Sequence, residues 1–146
     1  MTLEPKPVYI HATAIAIEGQ GILISGRSKV GKSTLAEHLI AEARARGFAA
    51  LLVGDDRIGL TPGEQGIRIA PHPAIAGLIE RRGVGIVPVP SCGEAIAVFG
   101  ISLIDGAVLA PMRFEPLSGH SIPGLVAGPR PDVSALFPLV LAALPQ

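Results

Sequence analysis

The chain has 146 residues, 49% hydrophobic but only 3% aromatic, so it is long enough for one domain with a core of Ile, Leu, Val and Ala. Twelve Lys plus Arg balance twelve Asp plus Glu, which argues against a surface for nucleic acid. The single cysteine, Cys92, excludes an internal disulfide; the N-terminus does not read as a signal peptide and no apolar run is long enough to span a bilayer, so a cytoplasmic protein with no membrane partner is expected.

Val8 to Ile17 alternates weakly and predicts a strand, with Ala12, Ala14 and Ala16 on one face and His11, Thr13, Ile15 and Ile17 on the other. A Glu18–Gly21 turn and the apolar run Ile22–Ser25 complete a predicted hairpin. Residues 26 to 33 read Gly-Arg-Ser-Lys-Val-Gly-Lys-Ser, the pattern G-x-x-x-x-G-K-S. A di- or triphosphate concentrates negative charge, so its binding calls for backbone N–H groups converging on one point with side chains out of the way. Gly26 and Gly31 permit that approach, Lys32 brings a mobile positive charge, and Ser33 brings a hydroxyl for Mg²⁺ at a helix N-terminus. The loop and the first helical turn, Gly26, Arg27, Ser28, Lys29, Val30, Gly31, Lys32, Ser33 and Thr34, form the expected nucleotide site, for ATP with Mg²⁺.

Leu35, Ala36, Leu39, Ile40 and Ala43 then recur at helical spacing, predicting a helix from about Lys32 to Arg46 stopped by Gly47. Phe48 to Val53 reads as a buried strand ending in Gly54-Asp55-Asp56. A crossover from the loop strand through one helix predicts a parallel pair, with both aspartates at the carboxyl end of the sheet near the phosphates. A second hairpin is expected around Thr61-Pro62-Gly63-Glu64, a helical turn over Ala74–Ile79, and a long strand over Ala95–Ile104. Residues 111–131, dense in Pro and Gly around Arg113, His120 and Arg130, predict an irregular, mobile segment that closes over substrate. Val133 to Leu144 predicts a short helix.

The loop, the run Leu52-Val53-Gly54-Asp55-Asp56-Arg57 and the run Glu80-Arg81-Arg82-Gly83-Val84-Gly85-Ile86 together resemble the catalytic domain of HPr kinase/phosphorylase. The resemblance covers about residues 8 to 90, and Lys29 stands where that family's loop usually has glycine. It implies an α/β P-loop nucleotide-binding sandwich with a mixed sheet, akin to phosphoenolpyruvate carboxykinase. It also implies phosphorylation of a serine on HPr, a phosphocarrier protein, with reversal by phosphorolysis. By position it implies Asp55 as catalytic base with His11 as its partner, Glu80 as a metal ligand and Arg82 at the phosphate site. Neighbours at a strand end point in different directions, which leaves Asp56, with Ser33 and Glu80, for the metal. A nucleotide-binding regulatory module without transfer activity, a kinase of another substrate, and a homo-oligomeric assembly stay open.

Overall fold

The computed structural model describes residues 5–145. Among these described residues nine strands form one mixed sheet in the order β1-β5-β6-β9-β3-β2-β4, with the β10–β11 hairpin attached to β9. In sequence these are β1 (Val8–Ile10), β2 (Ala12–Ile17), β3 (Gln20–Gly26), β4 (Ala50–Gly54), β5 (Ile58–Gly63), β6 (Gly66–Pro71), β9 (Ala95–Leu103), β10 (Ala110–Leu117) and β11 (His120–Ala127). The strands β7 (Leu78–Arg81) and β8 (Gly85–Pro88) form a separate two-stranded sheet, preceded by a 3₁₀ turn over Pro73–Ile75. The helices are α1 (Lys32–Ala45) and α2 (Val133–Ala143).

Alternation in β2 and β3 divides the core between the two faces of the sheet. Ile15, Ile17, Ile22 and Ile24 are fully buried against Leu35, Leu39 and Ala43 of α1 and Phe137 and Val140 of α2. Ala12, Ala14, Ala16 and Leu23 point the other way, against Ile58, Leu60, Ile67 and Ile69 of the β5–β6 hairpin. At roughly 25 cal/mol per Å² of apolar surface buried, these aliphatic layers supply the main folding drive. Both helices lie on the first face. Pro138 sits on the exposed side of α2, so its ring does not interrupt the packed face.

The structure corrects several sequence expectations; the helical turn expected over Ala74–Ile79 is a 3₁₀ turn over Pro73–Ile75, with Leu78 and Ile79 already in β7. The predicted strand Val8–Ile17 breaks at His11: β1 pairs with β5, whereas β2 pairs with β3 and β4. The loop strand β3 and β4 run in the same direction but are not neighbours, because β2 lies between them and pairs antiparallel with both. The other edge of β3 is taken by β9, in parallel register from Gln20↔Ile96 to Gly26↔Leu103. Residues 111–131 are not irregular: most of them form the antiparallel β10–β11 hairpin, and β11 adds in parallel to β9. Prolines hid this hairpin. Pro111 and Pro116 lie on β10, which pairs on one side only, and Pro123 precedes the stretch where β11 meets β9, so no ladder loses a needed N–H.

Among the described residues no helix is long and apolar enough to cross a membrane.

Candidate functional site

The carboxyl ends of β3 and β4 point the same way, which brings their following loops to one cavity of about 850 Å³. Its walls are the loop after β3, the start of α1, His11, Asp55, Asp56 and the Glu80–Gly85 turn. All candidate residues named from the sequence line it except Val30, which is buried in the helix-side core and anchors the loop from beneath.

The loop adopts the shape its glycines permit. Gly26 has φ +154°, and a Cβ there would meet Val30 Cγ1 at 2.8 Å and the Leu103 carbonyl oxygen at 2.9 Å. Gly31, at φ +107°, caps α1 in the left-handed region. Lys29 also lies there, at φ +66°, a conformation that costs an L residue roughly 1–2 kcal/mol. The Lys32 Nζ turns back on the loop and donates to the carbonyls of Gly26 at 2.8 Å and Arg27 at 2.9 Å. Burial lowers the pKa of Lys32 below its ordinary value, against the opposing pull of Asp55 and Asp56.

The two neighbouring aspartates meet very different surroundings. Asp55 is buried and accepts three hydrogen bonds: from the Thr13 hydroxyl at 2.7 Å, from the Ser33 hydroxyl at 2.7 Å, and from the Glu80 N–H at 2.9 Å. Asp56, at φ +68°, turns outward with a side chain 72% exposed. Its Oδ1 lies 3.8 Å from His11 Nδ1. The pairing of His11 with Asp55 expected from the sequence is therefore not formed. The break between β1 and β2 carries the His11 ring outward, to an exposed position over Asp56, whereas the inward place beside Asp55 is filled by Thr13.

The remaining charges are divided by pairing. Arg27 makes a two-pronged bond to Asp105, 2.6 Å from Nε to Oδ2, which ties the loop to the segment after β9. The hydrogen bond from Arg27 holds the Asp105 carboxyl below its ordinary range, and Asp105 in turn raises Arg27. Arg81 grips Glu37 of α1 with two hydrogen bonds and so fixes the β7–β8 hairpin against the helix, with Ile79 inserted into the core. Arg82 faces the cavity with no ion pair among the described residues. Glu80 is exposed at the same wall. Cys92 lies away from the cavity, and burial raises its thiol pKa, which suits a passive side chain.

Sequence reasoning missed Thr13 and Asp105. Thr13 did carry a signal, as the one hydroxyl in the apolar run Ala12–Ile17; Asp105 read only as part of a turn.

The donor set fits a hard divalent cation held jointly with phosphate. Ser33 and Asp55 present oxygens side by side, and Glu80 adds a third on the same wall. Among the described residues no three His, Cys, Asp or Glu side chains cluster into a closed metal cage. Mg²⁺ is commonly held by one or two carboxylates plus substrate phosphates, with waters completing its shell, so Ser33, Asp55 and Glu80 are the residues that would hold it here. What the arrangement offers chemically is an anion cradle, a buried acid–hydroxyl pair beside it, and an exposed carboxylate next to an imidazole facing the same space.

The chain is similar in sequence and in fold to known proteins. The family model described as HPr Serine kinase C-terminal domain matches residues 4–106. A HPr kinase/phosphorylase from Mycoplasma mycoides is 43% identical over 76 residues, which is 52% of this chain and 22% of that protein. One from Clostridium acetobutylicum is 35% identical over 96 residues, 65% of this chain and 27% of that protein. The match thus spans about a quarter of the length of these relatives. The solved structure of the Hpr(Ser) kinase/phosphatase from Coxiella burnetii superimposes with a TM-score of 0.70 at 25% identity, covering 93% of both chains. The expected α/β fold with a mixed sheet is therefore the observed one.

Proposed function

Because the chain belongs to the HPr serine kinase C-terminal domain family, we propose that it is an ATP-dependent protein serine kinase acting on an HPr-like phosphocarrier protein in the cytoplasm. The observation that carries this reading is the exposed Asp56–His11 pair facing the same cavity as the phosphate loop. A module that only binds nucleotide has no need of an accessible carboxylate poised beside an imidazole.

Phosphoryl transfer asks a protein for positioning and charge neutralisation rather than covalent chemistry. In this reading the loop N–H groups and Lys32 hold the phosphates, and Lys32 exchanges its two carbonyl contacts for phosphate oxygens. Mg²⁺ would be held by Ser33, Asp55 and Glu80, and would neutralise charge on the phosphate chain. The geometry favours exchanging the roles expected for the two aspartates. Asp55 already accepts three hydrogen bonds in a buried position, so it is suited to fix Ser33 and the metal. Asp56 is open to an incoming seryl hydroxyl and takes its proton as the serine oxygen attacks the γ-phosphorus and the bond to ADP breaks. His11 stands beside Asp56, its Nδ1 3.8 Å from Oδ1, and faces the same incoming hydroxyl. Arg82 steadies the transferring group. Run backwards, with phosphate as acceptor, the same groups support phosphorolysis.

The test is incubation with Mg²⁺, labelled ATP and an HPr protein. Label on a serine of HPr supports the kinase. Nucleotide bound with no transfer to HPr, and none to other proteins of the same cell, rejects it in favour of a regulatory module.

A further inference from the structure

We propose that the Lys29 ammonium is a further phosphate-contacting cation of this site, beside Lys32 and Arg82, one that favours ligands with longer phosphate chains. The inference rests on the reading of the loop as a nucleotide site. Lys29 holds a left-handed backbone, at φ +66°, that glycine would adopt without strain. A strained residue at a binding loop calls for a compensating role of its side chain. That side chain is exposed and lines the cavity also lined by Lys32, Ser33 and Asp56.

Charge bookkeeping in the cavity points the same way. Arg27, two positions earlier in the loop, is committed to Asp105, and Arg81 across the cavity is committed to Glu37. Lys29 has no ion pair and no side-chain hydrogen bond among the described residues. It is therefore free to engage a ligand without first breaking a contact. Three carboxylates, Asp55, Asp56 and Glu80, share the cavity wall and would repel a polyphosphate. Lys32 and Arg82 are the other unpaired cations on that wall among the described residues, and two positive charges do not offset three carboxylates together with a triphosphate that stays negative after binding one divalent cation. A flexible ammonium beside the loop supplies the missing charge, and its attraction grows with the charge of the ligand.

The experiment measures ATP, ADP and AMP affinity by calorimetry, at several salt concentrations, for the wild type, Lys29→Gly, Lys29→Met and Lys32→Ala. Lys29→Gly relaxes the backbone while removing the charge; Lys29→Met removes the charge and keeps the strain. Both Lys29 variants are expected to bind ATP about tenfold more weakly, the lower end for a hydrogen bond to a charged group. The loss should be smaller for ADP and smallest for AMP, with a shallower salt dependence and a melting temperature no lower in Lys29→Gly than in the wild type. Wild-type ATP affinity in Lys29→Gly, or equal losses for all three nucleotides, overturns the proposal while a weakened Lys32→Ala leaves the nucleotide site standing. If Lys32→Ala also binds ATP as the wild type does, the nucleotide site itself is wrong and the role of Lys29 falls with it.

Discussion

The Ser33 hydroxyl donates a 2.7 Å hydrogen bond to Asp55, joining the first turn of α1 to the end of β4 across 22 positions of sequence. The same carboxylate takes the Thr13 hydroxyl from β2 and the Glu80 N–H from β7. One side chain thus holds four segments around the cavity.

Removing that hub should cost stability as well as activity. Asp55→Ala leaves the fully buried Thr13 hydroxyl without its acceptor, a penalty of about 1–3 kcal/mol before the other two donors are counted. Thr13→Val removes one donor and leaves two, so its loss should be the smaller. Denaturant titrations of both variants measure this. An Asp55→Ala protein as stable as the wild type would show that the network contributes nothing.

The two aspartates should separate in kinetics. Asp56→Asn is expected to slow transfer by roughly 10²–10⁴-fold, the usual loss for a general base, with Mg–ATP affinity unchanged. Asp55→Asn should instead raise the Mg²⁺ concentration needed for half-maximal rate. Transfer rates across a Mg²⁺ titration, paired with calorimetry, distinguish the two. The reverse pattern would restore Asp55 as the base.

Lys32 gives the site a pH signature. Its pKa in the ligand-free protein is lowered, chiefly by burial, and bound phosphate would raise it again because opposite charge favours the ammonium. Affinity should be flat while the free amine is protonated, and should then fall as pH rises through that lowered value. The fall therefore begins below the ordinary lysine value of 10.5. Nucleotide titrations from neutral to alkaline pH test it. Lys32→Arg, which stays charged, should flatten the curve; a decline that persists in that variant belongs to another group.

Gly124 is a packing test of the β10–β11 hairpin. A Cβ there would collide with the Gly100 carbonyl oxygen and the Phe114 ring. Since the first of these is backbone in the neighbouring strand β9, it cannot swing aside. Gly124→Ala should destabilise the protein by about 1–3 kcal/mol, as overpacking does, and hydrogen exchange in β10 and β11 should speed up. Unchanged exchange there would mean the hairpin is not seated on β9 as described.

The legibility of this molecule in its sequence varied with how local each cause was. The loop from Gly26 to Ser33 and the helix after it could be read because glycine spacing and a 3.6-residue period are local signals. The second hairpin, β5–β6, announced itself through Thr61-Pro62-Gly63-Glu64. Asp55 and Asp56 fell at the cavity as expected, since that needs only β3 and β4 to run in the same direction. Strand order was not legible, because nothing local says which edge of the β2–β3 hairpin receives β4. The His11 partner was lost for a related reason: one break between Ile10 and Ala12 moves the ring from Asp55 to Asp56. In β10 and β11 the prolines spoke louder than the alternation, since whether a strand N–H is needed depends on a neighbour far away in sequence.

The parallel seam between β3 and β9 has a consequence for how the protein comes into being. Gly26, the first residue of the phosphate loop, is held opposite Leu103, and Arg27 waits for Asp105. A growing chain has therefore made the loop, α1 and the β2–β3 and β5–β6 hairpins well before the strand that joins them arrives. Contacts so distant in sequence set a slow folding pace. A chain interrupted between β8 and β9 would leave β3 with a bare apolar edge, which invites pairing with other molecules. The seating of the loop on its sheet is thus completed late in synthesis, by a segment that contains none of the loop's own residues.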